Sequence, residues 1–165
     1  PTNKVAVRYS HQRYDEESQG ENLQPREFGV LMHRAMEGAT TMDDIERQIG
    51  LIVTDGIITP EEATPLKEKI IASLKEHGVE EWFDGSWQQV KSEREIVSDG
   101  KSWRPDRVMI RGKEAVIVDY KFGLNRPKSY ANKISRYCKL LQEMGYERVS
   151  GYLWYITLGD IEKVV

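Results

Sequence analysis

The stretch RPDRVMIRGKEAVIVDYKFG, residues 104 to 123, sets apolar runs on either side of a glycine turn and places charge at their far ends. Valine and isoleucine around Arg-Gly-Lys predict two strands joined as a tight antiparallel hairpin. Residues two apart in a strand share a face, so Asp119 and Lys121 project together while Val118 and Tyr120 point the other way. Val116, Ile117 and Val118 mark the second strand as buried, and a lone carboxylate there is costly to desolvate. Either Lys121 compensates Asp119 as a plain ion pair, or a cation does. The hairpin also sets Asp106 near Asp119 across the ladder, and two bare carboxylates so placed repel each other. A hard divalent cation such as Mg2+ or Mn2+ relieves that repulsion and leaves coordination places for water and a substrate phosphate. Lys121 is then placed to orient or help deprotonate an attacking water, or to neutralise charge developing on a scissile phosphate.

Helical periods surround this stretch. Phe28, Leu31, Met32, Ala35 and Met36 predict a first helix stopped by Gly38, and Ile45, Ile49 and Ile52 a second, capped by Thr41 or Thr40. Thr59, Pro60, Glu61 and Glu62 open a third, which ends before Gly78. QQVKSEREIVS and SWRPDRVMIR, separated by Asp-Gly, predict a further hairpin, so that with EAVIVDYKF three antiparallel strands follow one another. Ile134, Tyr137, Leu140, Leu141 and Met144 predict a fourth helix between Pro127 and Gly145, and the last nineteen residues read as strands around a Gly-Asp turn. The order predicts an α/β (α+β mixed) domain over residues 26–165, a central mixed sheet with an antiparallel meander, flanked by helices. Residues 1–25, polar and without a sustained period, read as a linker or N-terminal arm.

With 165 residues, 39% hydrophobic and 31% charged, the chain can close a single core, and no apolar run approaches the roughly eighteen residues that a bilayer span needs. It begins with proline rather than methionine, which predicts a piece excised from a longer protein. The single cysteine, Cys138, lies in a helical pattern and reads as a small packing residue in a reducing compartment. A net charge of −3 argues against an indiscriminate polyanion binder, yet residues 101 to 139 hold eleven Lys/Arg against three Asp/Glu. From Arg104 to Lys139 this predicts a positive region able to attract phosphates. Trp103, Tyr130, Trp154 and Tyr155 read as core rather than as stacking platforms for bases. His33, on the first helix, has Gly29 and Glu37 one turn away, which makes it either a solvated helical histidine or a ligand. Glu93 or Glu95, before Asp106, supplies a further carboxylate or an arginine partner.

Taken in order, GVLMHRAME, SEREI, WRPDRVMI, VIVDYKFG and KISRYCKLL resemble the motifs of RecB-type nuclease domains of the PD-(D/E)XK superfamily, found at the C-terminus of bacterial UvrD/RecB/AddA-like helicase–nucleases. The resemblance covers residues 28 to 137, and RPDR with VDYKFG is its most specific portion. It implies a restriction-endonuclease-like core and a divalent-metal-dependent deoxyribonuclease, an exonuclease rather than an endonuclease. Such an enzyme serves DNA repair and recombination in the bacterial cytoplasm, beside a helicase in the same or a partner chain. The resemblance also implies His33, Asp106, Asp119 and the Tyr120 backbone carbonyl as ligands of Mg2+ or Mn2+, Lys121 as the catalytic lysine and Glu93 as a supporting acid. The next motif has glutamine four residues before a tyrosine. Tyr137 fits, but Lys133 stands in the glutamine's place, an ammonium able to hold a phosphate. The implied partner is single-stranded DNA, gripped by its backbone and therefore in a salt-sensitive way. Two other classes compete: a catalytically silent DNA-binding or scaffolding module of such a helicase, and a purely structural ion-pair network of Asp106, Asp119 and Lys121.

Overall fold

The computed structural model describes residues 25–36, 38–92, 96–98 and 101–165. The residues read as a linker, all but Pro25, lie outside that set, as do Glu93 and Glu95. Three helices come first: α1 (Pro25–Met36), α2 (Met42–Thr54) and α3 (Pro60–Glu76). Two of them start with reciprocal capping boxes, Thr41 with Asp44 and Thr59 with Glu62, which satisfy the orphan amides of the first turn. The strands β1 (Gln89–Ser92), β2 (Ile96–Ser98), β3 (Lys101–Trp103), β4 (Arg107–Arg111) and β5 (Glu114–Lys121) follow. A helix α4 (Lys128–Glu143) then crosses to β6 (Arg148–Tyr155) and β7 (Asp160–Lys163).

The main sheet has the order β1-β4-β5-β6-β7, antiparallel throughout except between β5 and β6. That one parallel pair requires a crossover, which α4 supplies. The expected mixed sheet flanked by helices is therefore present. β5 is buried on both faces, which accounts for its unbroken apolar run. Its even-numbered residues Val116, Val118 and Tyr120 pack with α1, α2 and α3, while Ala115 and Ile117 pack with Ile134, Tyr137, Cys138 and Leu141 of α4. Trp154 and Tyr155 are core, one on each side, as the sequence predicts. At Gly151 of β6 an added Cβ would stand 2.5 Å from Ile134 Cγ2 and 2.6 Å from Cys138 Sγ, so α4 lies directly on the strand backbone. Cys138 is the small packing residue its helical pattern predicts.

The meander differs from expectation. β1 pairs with β4 in the main sheet, whereas β2 and β3 form a separate two-stranded ribbon. The second of the two long strands read from the sequence is thus broken between Trp103 and Arg107, and the two described ends of the first belong to different sheets. Pro105, buried and lacking an N–H, lies in the gap between Trp103 and Arg107 and cannot continue a ladder.

Candidate active site

The β4–β5 hairpin turns over Gly112 (φ 59°) and Lys113, with Arg111 opposite Glu114. Counting outward from that turn brings Arg107 opposite Val118, and the next position, Asp106, comes level with Asp119. Asp106 belongs to no strand, because the ladder stops at Arg107. Its free backbone amide donates to Asp119 Oδ1 at 3.0 Å, and its own Oδ2 accepts from the Tyr120 amide at 2.8 Å. The two carboxylates are therefore held side by side by the backbone amides of Asp106 and Tyr120.

His33 arrives from α1, on the other side of the sheet. It is 7% exposed, its Nε2 lies 3.7 Å from Asp106 Oδ2, and its ring tilts against Tyr120 and Phe122. Burial pulls its pKa down to about 4, which outweighs the Asp119 charge, so the imidazole is neutral at physiological pH. Asp106 is displaced the opposite way, well above the ordinary carboxylate range, first by burial and then by the Asp119 charge. Lys121 places Nζ 3.5 Å from Asp119 Oδ2 and 4.2 Å from the centre of the Tyr130 ring. Both Asp119 and Lys121 are only 5% exposed.

The remaining expected residues divide. Tyr137 is 1% exposed, its hydroxyl is bonded to the Arg104 backbone, and burial with the Asp119 and Asp106 charges pushes its pKa up. It is thus placed to hold the segment that leads into Asp106 rather than to exchange protons. Tyr120 is tied to the site through its amide, its ring packing on Trp154. Glu93 lies outside the described residues.

Two residues were not singled out for the site. Tyr130, read as core, is half-buried at the start of α4 and carries the Lys121 ammonium on its ring. Arg107, counted from sequence in the positive region, is fully buried. It donates to the carbonyls of Ala39 and Trp82 and lies over the Phe83 ring, so it anchors the chain just beyond α1 and next to Asp106. Its pairing with Val118 puts it on the α1 face, a parity the sequence does contain. The positive stretch is accordingly not one surface. Arg111 pairs with Glu114 and Glu81 at the far end of the hairpin, and Arg126 pairs with Asp160 and Glu162.

A model of the PD-(D/E)XK nuclease superfamily matches residues 6–160, nearly the whole chain. The chain belongs to the PD-(D/E)XK nuclease superfamily. No curated protein sequence matches it. Membership makes the chain a nuclease by family, with DNA as its partner, and makes its five-stranded mixed sheet a restriction-endonuclease-like core. Nucleases of this superfamily generally use divalent metal ions. The donor set here suits one in kind: one buried and one half-buried carboxylate, one imidazole kept neutral by burial, and an ammonium to balance them. Among the described residues no three such groups already surround a common point. Each acid instead has one oxygen on a backbone amide. Nor is any described helix long and apolar enough to cross a membrane.

Proposed function

We propose that this chain hydrolyses DNA phosphodiester bonds as the divalent-metal-dependent nuclease module of a bacterial helicase–nuclease acting in repair and recombination. The observation that carries the chemistry is the approach of Asp106 to both Asp119 and His33, with Lys121 on Asp119, at the end of the sheet where the β1–β4 ladder stops. Asp106, Asp119 and His33 would hold Mg2+ or Mn2+, with the Tyr120 carbonyl as a further oxygen donor. Such an ion, when bound, polarises a phosphoryl oxygen and lowers the pKa of a bound water.

The chain's own groups do the rest. Lys121, kept in place by Asp119 and by the Tyr130 ring, brings positive charge to the phosphoryl oxygens as water adds to phosphorus and the bond to the leaving oxygen breaks. Its burial excludes competing water and strengthens that interaction. Tyr137 fixes the Arg104 backbone ahead of Asp106, and so the approach of the first acid to the second. The helicase setting, the exonucleolytic mode, the preference for single strands and the cytoplasmic site rest on the ordered motif resemblance to RecB-type domains.

Cleavage of single-stranded and duplex DNA, with Mg2+ or Mn2+ and with EDTA, tests the proposal. The parent is expected to cut only with metal, whereas Asp119→Ala and Lys121→Ala do not cut. The second reading, a silent scaffold, is favoured by the closed bonding of both acids to backbone amides. A parent that binds DNA in a salt-dependent way yet never cuts with either metal would establish it.

A further inference from the structure

The segment between β5 and α4 leaves the strand of Lys121 and returns as the helix that carries Tyr130, and contacts with β6 and β7 tie it at both ends. At its start the Lys121 carbonyl accepts from the Ile156 amide and the Phe122 carbonyl from Thr157 Oγ1, each at 2.9 Å. At its end the tie is ionic. Arg126 lies 4.4 Å over the centre of the ring of Tyr155, the β6 residue level with Lys121, and sets one nitrogen 2.6 Å from Asp160 Oδ2 and another 3.8 Å from Glu162 Oε2. Asp160 is anchored in turn: its Oδ1 lies 3.1 Å from His77 Nε2, and His77 Nδ1 donates to the Ser73 carbonyl of α3 at 2.8 Å. Between the two ties Leu124 and Asn125 are exposed. Beyond Arg126, α4 opens on Pro127 without a capping side chain, and its first buried residue is Ile134. The turn that bears Tyr130 thus takes its place in part from the anchored segment that feeds it.

We propose that Arg126 and Asp160 are positioning residues for Lys121: by pinning the end of the β5–α4 segment to the start of β7, they set the Tyr130 ring against the Lys121 ammonium; this rests on the nuclease reading above. A planar guanidinium meets two acids at once while its face lies on an aromatic ring, which a lysine in its place could not do. The clamp holds the chain four residues before the ring that lies 4.2 Å from Lys121 Nζ. Release of that ring lets the ammonium swing away from the phosphoryl oxygens, which lowers turnover rather than DNA affinity. Arg126 and Asp160 are both partly exposed, so their pairing contributes little to global stability. Activity and stability should therefore respond unequally when it is broken.

The test is DNA cleavage by the full chain with Mn2+, for Arg126→Gln, Asp160→Asn, the two together, and Arg47→Gln, which breaks an exposed ion pair on α2. Each single variant of the clamp is expected to lose on the order of 10- to 100-fold in kcat with KM little changed, and Tm should fall by no more than about 3 °C. The double variant should lose no more than the worse single one, because both act through one contact. Arg47→Gln should match the parent. Hydrogen exchange without DNA or metal gives an independent reading: in Arg126→Gln the amides of residues 130 to 134 should exchange faster while those of β5 keep their rates. An unchanged kcat, additive losses in the double variant, or unaltered exchange at 130 to 134 would overturn the assignment. A rise in KM with kcat preserved would overturn it too, since that marks an Arg126 that grips DNA directly. A parent that never cuts refutes the nuclease reading alone, because exchange still decides whether the clamp holds the turn of Tyr130.

Discussion

Replacing Asp106 by asparagine should make the metal-free protein more stable and useless as a nuclease. The wild-type carboxyl is buried against Asp119, which leaves two acids facing each other with one lysine between them and neutrality. Asparagine keeps the carbonyl that accepts from Tyr120 N–H and the backbone amide that donates to Asp119 Oδ1, and its new side-chain amide can donate where there was repulsion. Two unit charges 4 Å apart at an effective dielectric of 20 interact by about 4 kcal/mol, and Lys121 offsets part of it, so the gain should be about 1–3 kcal/mol. In a chain of this size that is roughly 2–10 °C in Tm. The folded Asp106 holds its proton more tightly than the unfolded one, so the parent loses stability as pH rises from the unfolded value of 3.8 through the raised folded value. The variant has no such carboxyl to deprotonate, and the gap between the two should widen with pH and close near pH 4. Thermal unfolding in EDTA at pH 4, 6 and 8, repeated with Mn2+, reads this directly, the variant being expected to lose both cleavage and the metal-induced rise in Tm. If Asp106→Asn melts below the parent in EDTA at pH 8, or if the gap ignores pH, the picture of opposed carboxylates is wrong.

Lys121→Met should abolish cleavage and cost about 3–5 kcal/mol, because Asp119 is left as an uncompensated buried charge, and adding Asp119→Asn should restore stability without activity. His33 protonates at about 4 when folded against 6.5 when unfolded, so the unfolded chain takes up the proton first. The parent should then lose up to about 3 kcal/mol as pH falls from 6.5 to 4, a loss that His33→Gln removes in pH-dependent urea titrations. Arg107→Met strands the Ala39 and Trp82 carbonyls and should cost roughly 2–5 kcal/mol in urea unfolding, with weaker Mn2+ binding as α1 loosens. Gly151→Ala forces α4 off β6 and should cost about 1–3 kcal/mol by the same measurement.

The pairing of Asp106 with Asp119 was legible because a two-residue turn at Gly112 and Lys113 fixes the register, and register alone brings the two acids level. The caps at Thr41 and Thr59 and the buried run of β5 were legible for similar local reasons. What could not be read was the break at Pro105. A proline in an otherwise strand-like run fits either an edge or a corner, and only the division of partners between two sheets distinguishes them. The inward turn of Arg107 was hidden because an arginine is ordinarily counted as surface, although its parity with Val118 was available. The positive region failed as a single surface for the same reason, since counts along a chain carry no information about which end of a hairpin each charge occupies.

His33 comes from the helical layer on one side of the sheet, while the acids and Lys121 face the layer formed by α4. For the proposed nuclease, competence is therefore a property of the whole sandwich: loosening either slab would separate imidazole from carboxylates before much secondary structure melts. Loss of nuclease activity should precede loss of helical signal during gentle denaturation, whichever slab yields first.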